Sequence, residues 1–187
     1  MLQRVLDLGE DKVSQRDLFA LKIIFIGGSQ LGADVAKRAL KVFGPVAYNL
    51  YGSTEVAYAT IATRPDLAEA PGCVGGVVRG TIVKLLNEEG EEVQTGETGR
   101  IFVGNAGQFE GYTGGETKEQ IKGLMSSGDV GHFDAKGRLF IDGRDDEMIV
   151  SGGENVFPGE IEELLAGHEA IEEVAAIGST TTSSASD

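Results

Sequence analysis

The chain has 187 residues, with 16 basic against 30 acidic side chains for a formal net charge of −14, 41% hydrophobic residues, 28 glycines, four prolines and no tryptophan. That length and apolar content support one packed domain, or one domain and a piece of another, and the acidic balance excludes electrostatic capture of nucleic acid or of an anionic membrane, which needs a basic face. The single cysteine, Cys73, excludes an internal disulfide and a cysteine-cluster metal site and fits a reducing cytoplasm.

In chain order, MLQRVLDLGEDK lacks the basic-then-apolar pattern of a signal peptide, and no later apolar run is long enough to span a bilayer, so a soluble cytoplasmic protein is expected. Leu2, Val5 and Leu6 recur at helical spacing and predict a short helix, followed by a polar loop through Asp17. LKIIFIGGS reads as a buried strand ending in a glycine turn. ADVAKRALKVFG reads as a helix with Ala36, Ala39, Leu40 and Phe43 inward, stopped by Gly44-Pro45. PVAYNLYGSTE is the next strand and its loop. Strand, helix, strand in this order predicts a parallel α/β unit, in which ligands gather at the carboxyl ends of strands. Both GGS (27–29) and GSTE (52–55) fall at such ends.

From about Pro71 the texture changes to short strands broken by turns, predicting an antiparallel sheet or small barrel from VVRGTIVKLL, TGRIFVG and GRLFIDG. Within it, TKEQIKGLM starts with Thr117 and has Gln120 three residues on, the pattern of a capping box, and predicts a short helix. After Gly143 come RDDEMIV, a glycine turn, a proline-started acidic helix in PGEIEELLAGHEA, and the beginning of another strand. STTTSSASD is polar low-complexity sequence with nothing to bury and is expected to be disordered. The expected division is 1–70 as a partial α/β subdomain, 71–143 as an antiparallel β subdomain, 144–178 as a hinge with the start of a further domain, and 179–187 as tail.

Familiar nucleotide and metal motifs do not occur. IIFIGGSQLG places glycines at 27, 28 and 32, so G-x-G-x-x-G is absent, and no G-x-x-x-x-G-K-[ST] is found. DGRDDEMIVSGGE fails the alternating order of a calcium loop. His132 and His168 stand isolated in the sequence, without the partners of a zinc site or a triad.

What remains is a set of polar loops in a fixed order: GGS, YGSTE (51–55), SSGDVG (126–131) and GRDDEMIVSGGENVFPGEIE (143–162). Singly, each is an ordinary turn. Together they resemble the adenylate-forming enzymes, the superfamily of acyl-CoA synthetases, luciferases and peptide-synthetase adenylation domains. YGSTE looks like that family's Y-G-x-T-E motif, SSGDVG like its T-G-D motif, GRDD like its G-R-x-D hinge, and GGENVFPGEIE like the opening of its small C-terminal domain. The resemblance covers roughly residues 2–178. It implies α/β plus β architecture: the C-terminal part of the large adenylate-forming domain, then the start of a small α+β domain.

It also implies roles. Tyr51, with Gly52 and Ser53 beside it, would lay its ring against adenine, while Gly27, Gly28 and Ser29 let the backbone approach the purine. Thr54 would offer a hydroxyl to the α-phosphate and Glu55 an oxygen ligand to magnesium. Asp129 would accept from the ribose hydroxyls, with Arg144 as the matching donor. Asp146 corresponds to the hinge, and Gly152 and Gly153 to the loop along the pantetheine arm of CoA. The implied cofactors are ATP or AMP, Mg2+ and CoA. The implied reaction is fatty acid–CoA ligation through acyl-AMP, with an AMP-binding remnant or a domain serving a carrier protein as alternatives.

Two of that family's elements have no counterpart: the hydroxyl-rich phosphate loop upstream of the tyrosine motif, and a lysine after Lys136. A fragment, a poor catalyst alone, is therefore expected. Its IIFI and AYNLY strands would lack covering helices, and either self-association or a polypeptide carrying the other half would be its partner.

Overall fold

The computed structural model describes residues 1–178 apart from Gly152, Gly153, Gly167, Glu169, Glu172 and Glu173. The predicted tail at 179–187 and the Gly152-Gly153 loop thus lie outside the described residues. Helices α1 (Leu2–Leu6) and α2 (Glu10–Ser14) lead into β1 (Ile24–Ile26), α3 (Ala33–Phe43) and β2 (Ala47–Ser53). The residues expected to form only a polar loop through Asp17 thus contain a second helix, whose Val13 is buried. One buried side chain per turn is too sparse a pattern to register as periodicity.

β1 and β2 run parallel, with Ile24 opposite Ala47 and Ile26 opposite Asn49. α3 makes the crossover, so this is the expected α/β unit. Ala36 and Ala39 are the fully buried positions of α3. Beyond β2 the chain doubles back as β3 (Ala57–Ala62), antiparallel to it, then forms α4 (Arg64–Glu69) and β4 (Gly76–Val77) against β3. α4 is capped by Thr63, whose hydroxyl and backbone N–H both bond the Asp66 carboxylate.

β5 (Ile82–Leu86), β6 (Gly99–Gly104), β7 (Gln120–Ile121), β8 (Leu124–Phe133) and β9 (Leu139–Arg144) form the expected antiparallel sheet. β8 carries both ends of this sheet. One edge pairs β6 from Met125 to Gly131, and the other edge pairs β7 at its start and β9 from Asp129 to Phe133, with a register shift against β9 at Val130/Gly131.

Two expectations fail in this sheet. The stretch 117–125 is not helical: β7 and β8 form a hairpin whose two turn residues, Lys122 (φ 50°) and Gly123 (φ 81°), are both left-handed. Two left-handed residues between paired strands match the strands' twist, and this outweighs the capping-box pattern. SSGDVG, read as a polar loop, lies inside β8. Its serines conceal the strand because their hydroxyls are buried and bonded internally: Ser126 Oγ accepts from the Gly128 N–H, and Ser127 Oγ accepts from the Asp129 N–H while donating to the Ile101 carbonyl.

β10 (Ile149–Ser151) and β11 (Glu154–Val156) form a small antiparallel hairpin, followed by the proline-started α5 (Pro158–Ala166). No strand follows α5 among the described residues. In 174–178 the Ala176 N–H donates to the Glu162 carboxylate at 2.9 Å and not to a strand. Phe157 is buried, its ring seated against Gly143 at the end of β9.

Two apolar clusters hold these layers. Ala36, Ala47, Ala62, Leu67 and Cys73 pack between the first sheet and helices α3 and α4. Val56, Ala59, Leu85, Ile101, Met125 and Leu139 join the β2–β3 hairpin to the second sheet. β2 is therefore covered, contrary to the expectation of a bare AYNLY strand. β1 forms the outer edge of its sheet, with Ile23 and Phe25 exposed.

The β2–β3 hairpin is fixed by close backbone approach. A Cβ on Gly52 would lie 2.0 Å from the Ala57 carbonyl oxygen, and Ala57 itself is left-handed (φ 56°). Gly52→Ala is expected to cost about 1–3 kcal/mol through forced backbone displacement, read as a lowered midpoint in urea unfolding; an unchanged midpoint contradicts this account of the hairpin.

Candidate functional site

The site grows from one register. Antiparallel pairing of β8 with β9 sets Asp129 directly opposite Arg144, and Arg144 Nη1 donates to Asp129 Oδ1 at 2.9 Å. The other carboxylate oxygen, Oδ2, accepts from the Tyr51 hydroxyl at 2.6 Å. Tyr51 projects from β2 of the first sheet, so this pair of bonds ties the two sheets together across the site. Ser127 Oγ lies 3.0 Å from the same phenol oxygen. Burial, followed by the Asp129 charge and hydrogen bond, pushes the Tyr51 phenol far above its ordinary range. The phenol is therefore a neutral donor at every physiological pH.

Around this triad is a cavity of about 390 Å3 lined by Gly28, Ser29, Gln30, Asn49, Tyr51, Gly52, Asp129, Gly143, Arg144, Glu147, Pro158 and Glu162, among others. Six sequence-predicted residues thus share one cavity: Gly28, Ser29, Tyr51, Gly52, Asp129 and Arg144. Gly28 is left-handed (φ 85°), a conformation that favours glycine. Gly27 is not among them: it lines an adjoining cavity of about 460 Å3 beside β1, with Leu2, Phe25, Val35 and Phe43, which shares Ser29, Gln30 and Leu31 with the first. Asp146 sits in the turn after β9, its exposed carboxylate 3.4 Å from Arg144 Nε. Its neighbour Asp145 is anchored, accepting from Arg100 Nε at 2.8 Å and donating its N–H to the Gly128 carbonyl.

Ser53, Thr54 and Glu55 occupy the hairpin tip just beyond Gly52. Thr54 is exposed. Ser53 Oγ donates to Glu55 Oε2 at 2.7 Å and accepts the Glu55 N–H at 3.2 Å. Glu55 Oε1 accepts from the Tyr112 hydroxyl at 2.7 Å. These bonds, Tyr112 first and Ser53 next, hold the Glu55 carboxyl below its usual range. No cluster of three or more His, Cys, Asp or Glu able to hold a metal occurs among the described residues. Ser53, Thr54 and Glu55 follow Gly52 but are not among the residues lining the cavity; a single hard carboxylate suits magnesium carried in with phosphates, which supply the other oxygens, and does not suit a dedicated protein cage.

Sequence reading missed several residues. Asn49 is 2% exposed and faces the cavity from β2; a polar residue in an otherwise apolar strand was the available signal. Tyr112 comes from a loop 57 positions away, and no local pattern marks it. His132 is not isolated: its Nδ1 lies 2.8 Å from Asp142 Oδ1, and Thr98 donates to the same carboxylate. The partner is ten residues distant and meets it only because β8 and β9 pair. Cys73 is buried in the core, where desolvation raises its thiol pKa. No described helix is long and apolar enough to cross a membrane.

Because the folded-state Glu55 carboxyl ionises at lower pH than an unconstrained one, its bonds contribute fully above the ordinary carboxylate range and are lost as pH falls through the lowered value. In a carbon-detected NMR titration, the Glu55 midpoint is expected below that of a free glutamate, and Tyr112→Phe should move it upward. An unmoved midpoint means that the Tyr112 bond does not form in solution.

Residues 1–113 match the family described as AMP-binding enzyme. The chain is 36% identical over 131 residues to an uncharacterised acyl–CoA ligase of Bacillus subtilis (strain 168), covering 70% of this chain and 27% of that protein. It is 37% identical over 166 residues to a feruloyl-CoA synthase of an Amycolatopsis species, covering 87% and 34%. To the long-chain-fatty-acid–CoA ligase of Salmonella typhimurium it is 33% identical over 174 residues, covering 91% and 31%. The chain therefore spans roughly a third of the length of the curated relatives it matches. Its fold superposes with TM-score 0.85 on the o-succinylbenzoate CoA synthetase of Bacillus subtilis in complex with an acyl-adenylate, at 24% identity over 96% of this chain and 37% of that one.

Proposed function

The chain belongs to the AMP-binding enzyme family, and from that premise we propose that it supplies the adenylate-holding part of an acyl-CoA synthetase. In the proposed reaction a carboxylate attacks the α-phosphorus of ATP and pyrophosphate leaves. The CoA thiol then attacks the acyl carbonyl, and AMP leaves. The observation that supports this most is the single cavity into which 28–29, 49–52, 129 and 143–144 converge: a flat aromatic, a buried amide and a carboxylate-guanidinium pair, the chemistry a nucleoside monophosphate requires.

Each residue then has a task. Asn49 offers both an amide donor and a carbonyl acceptor to the edge of a purine, and the Tyr51 ring offers its face. Asp129 accepts from a sugar diol. Its existing bonds to Tyr51 and Arg144 fix the carboxylate before any nucleotide arrives, which lowers the ordering cost of binding. Arg144 brings positive charge to an otherwise acidic chain. Thr54 would offer its hydroxyl to the α-phosphate. Glu55 would hold magnesium, which when bound offsets phosphate charge. Asp146 follows a residue anchored by Arg100 and is the pivot about which the following segment turns. CoA would pass the loop holding Gly152 and Gly153.

For the acid, the reading is a fatty acyl chain, supported by the similarity to a long-chain-fatty-acid ligase; the feruloyl-CoA synthase makes an aromatic acid the competitor. ATP–pyrophosphate exchange by the full-length protein with hexadecanoate and with ferulate tests the reading. Exchange with hexadecanoate is expected, exchange with ferulate alone overturns the fatty-acid reading, and none with either overturns the synthetase reading.

For this chain itself, Asp129→Asn is expected to weaken AMP binding about tenfold or more in calorimetry, since a hydrogen bond to a charged group is worth about 1.5–3 kcal/mol. Equal affinity in wild type and variant excludes Asp129 as a ribose ligand.

A further inference from the structure

The loop between β6 and β7 is bound to the hairpin tip at several points. Asn105 Nδ2 donates to the Val56 carbonyl at 2.9 Å and the Tyr58 carbonyl at 3.0 Å, and the Phe109 N–H donates to the Glu55 carbonyl at 2.9 Å. Phe109 also packs on the cluster that joins the two sheets. The Tyr112 ring meets Phe109 edge to face at 4.9 Å between centroids, and its hydroxyl reaches Glu55 Oε1. Support thus runs from the core through Phe109 and Tyr112 to the Glu55 carboxylate. Tyr112 is 45% exposed, yet its ring is braced and does not hang free in solvent.

We propose that Tyr112 is a positioning residue that, with Ser53, holds the Glu55 carboxylate in the orientation that receives a divalent cation. This rests on the reading of Glu55 as the magnesium ligand. A free glutamate on a hairpin tip samples several rotamers, and fixing it on binding opposes capture of the metal. Here the ordering is done in advance, with one donor on each oxygen. Each oxygen keeps a lone pair for a cation, because a carboxylate accepts at about four sites in all. Hydrogen-bonded support of this kind around a ligating carboxylate is the usual arrangement at metal sites, and its removal typically costs about 10–100-fold in metal affinity.

The test uses manganese(II) as the probe, titrated with ATP in the presence and absence of protein and followed by the loss of the free-ion paramagnetic resonance signal, the protein-dependent loss beyond that caused by ATP alone being read. Tyr112→Phe removes one hydroxyl and keeps the ring on Phe109, so the protein should stay folded, with thermal unfolding lowered only by the loss of one exposed hydrogen bond, and metal-free nucleotide affinity should match wild type. Its manganese dissociation constant should rise about tenfold or more, in line with loss of an outer-shell partner. Glu55→Gln, run in parallel, should abolish the ATP-dependent site. If Glu55→Gln loses the metal while Tyr112→Phe binds it as wild type does, the positioning role is overturned and the ligand reading stands. If Glu55→Gln binds as wild type does, the ligand reading falls and the proposal falls with it.

Discussion

The organisation of the site depends on one cross-strand pair. Asp129 and Arg144 face each other only while β8 and β9 keep their register, and side-chain alternation means that a slip of β9 by one residue would turn Arg144 to the opposite face. β8 holds β6 along one edge and, on the other, β7 and then β9, so Val130 and Gly131 are paired from both sides. Tyr51 then bonds the same carboxylate from the other sheet. A single carboxylate thus connects three strands of two sheets, and the cavity forms where they meet. Removing one member of this group leaves a part-buried charge or donor unpaired, a larger penalty than the net worth of the bond itself.

Electrostatics gives the pair a second importance. The chain carries a net charge of −14, a field that repels an anionic ligand at long range. Any phosphate must therefore be held by local donors, and the lining supplies them sparingly: Arg144, the Asn49 and Gln30 amides, the hydroxyl of Ser29 and backbone at the glycine turn. Asp129 and Asp146 hold Arg144 from two sides, and Arg100 holds Asp145 from below. The basic groups nearest the cavity are thus committed to fixed geometries, consistent with a site in which orientation matters more than attraction.

The sequence made part of this legible, and the limit has a physical basis. Elements with regular spacing were readable: α3 from its inward alanines, β1 from an unbroken apolar run, β2 from an apolar run interrupted by Asn49, and α5 from Pro158. SSGDVG was read as a loop because Ser126 and Ser127 satisfy their hydroxyls within the sheet, so polarity there does not mean exposure. The expected helix near Thr117 gave way to a hairpin because Lys122 and Gly123 adopt a turn that no capping pattern reveals. For the site, the order of motifs led to residues that share the cavity, whereas Asn49, Tyr112 and the His132–Asp142 pair needed the folded chain. Their partners are set by strand pairing and loop closure over 10 to 57 positions, a range that local pattern does not reach.

The bond from Tyr51 to Asp129 has an optical consequence. The chain contains four tyrosines, eight phenylalanines and no tryptophan, so at wavelengths beyond the weak phenylalanine bands its near-ultraviolet absorption and intrinsic emission come from phenols. A phenol that donates to a carboxylate at 2.6 Å has its ring electronics perturbed relative to one in water, and Tyr51 lines the cavity. Occupancy of the cavity therefore writes itself into the tyrosine difference spectrum, giving the molecule a built-in chromophore that reports on its own site without any attached label.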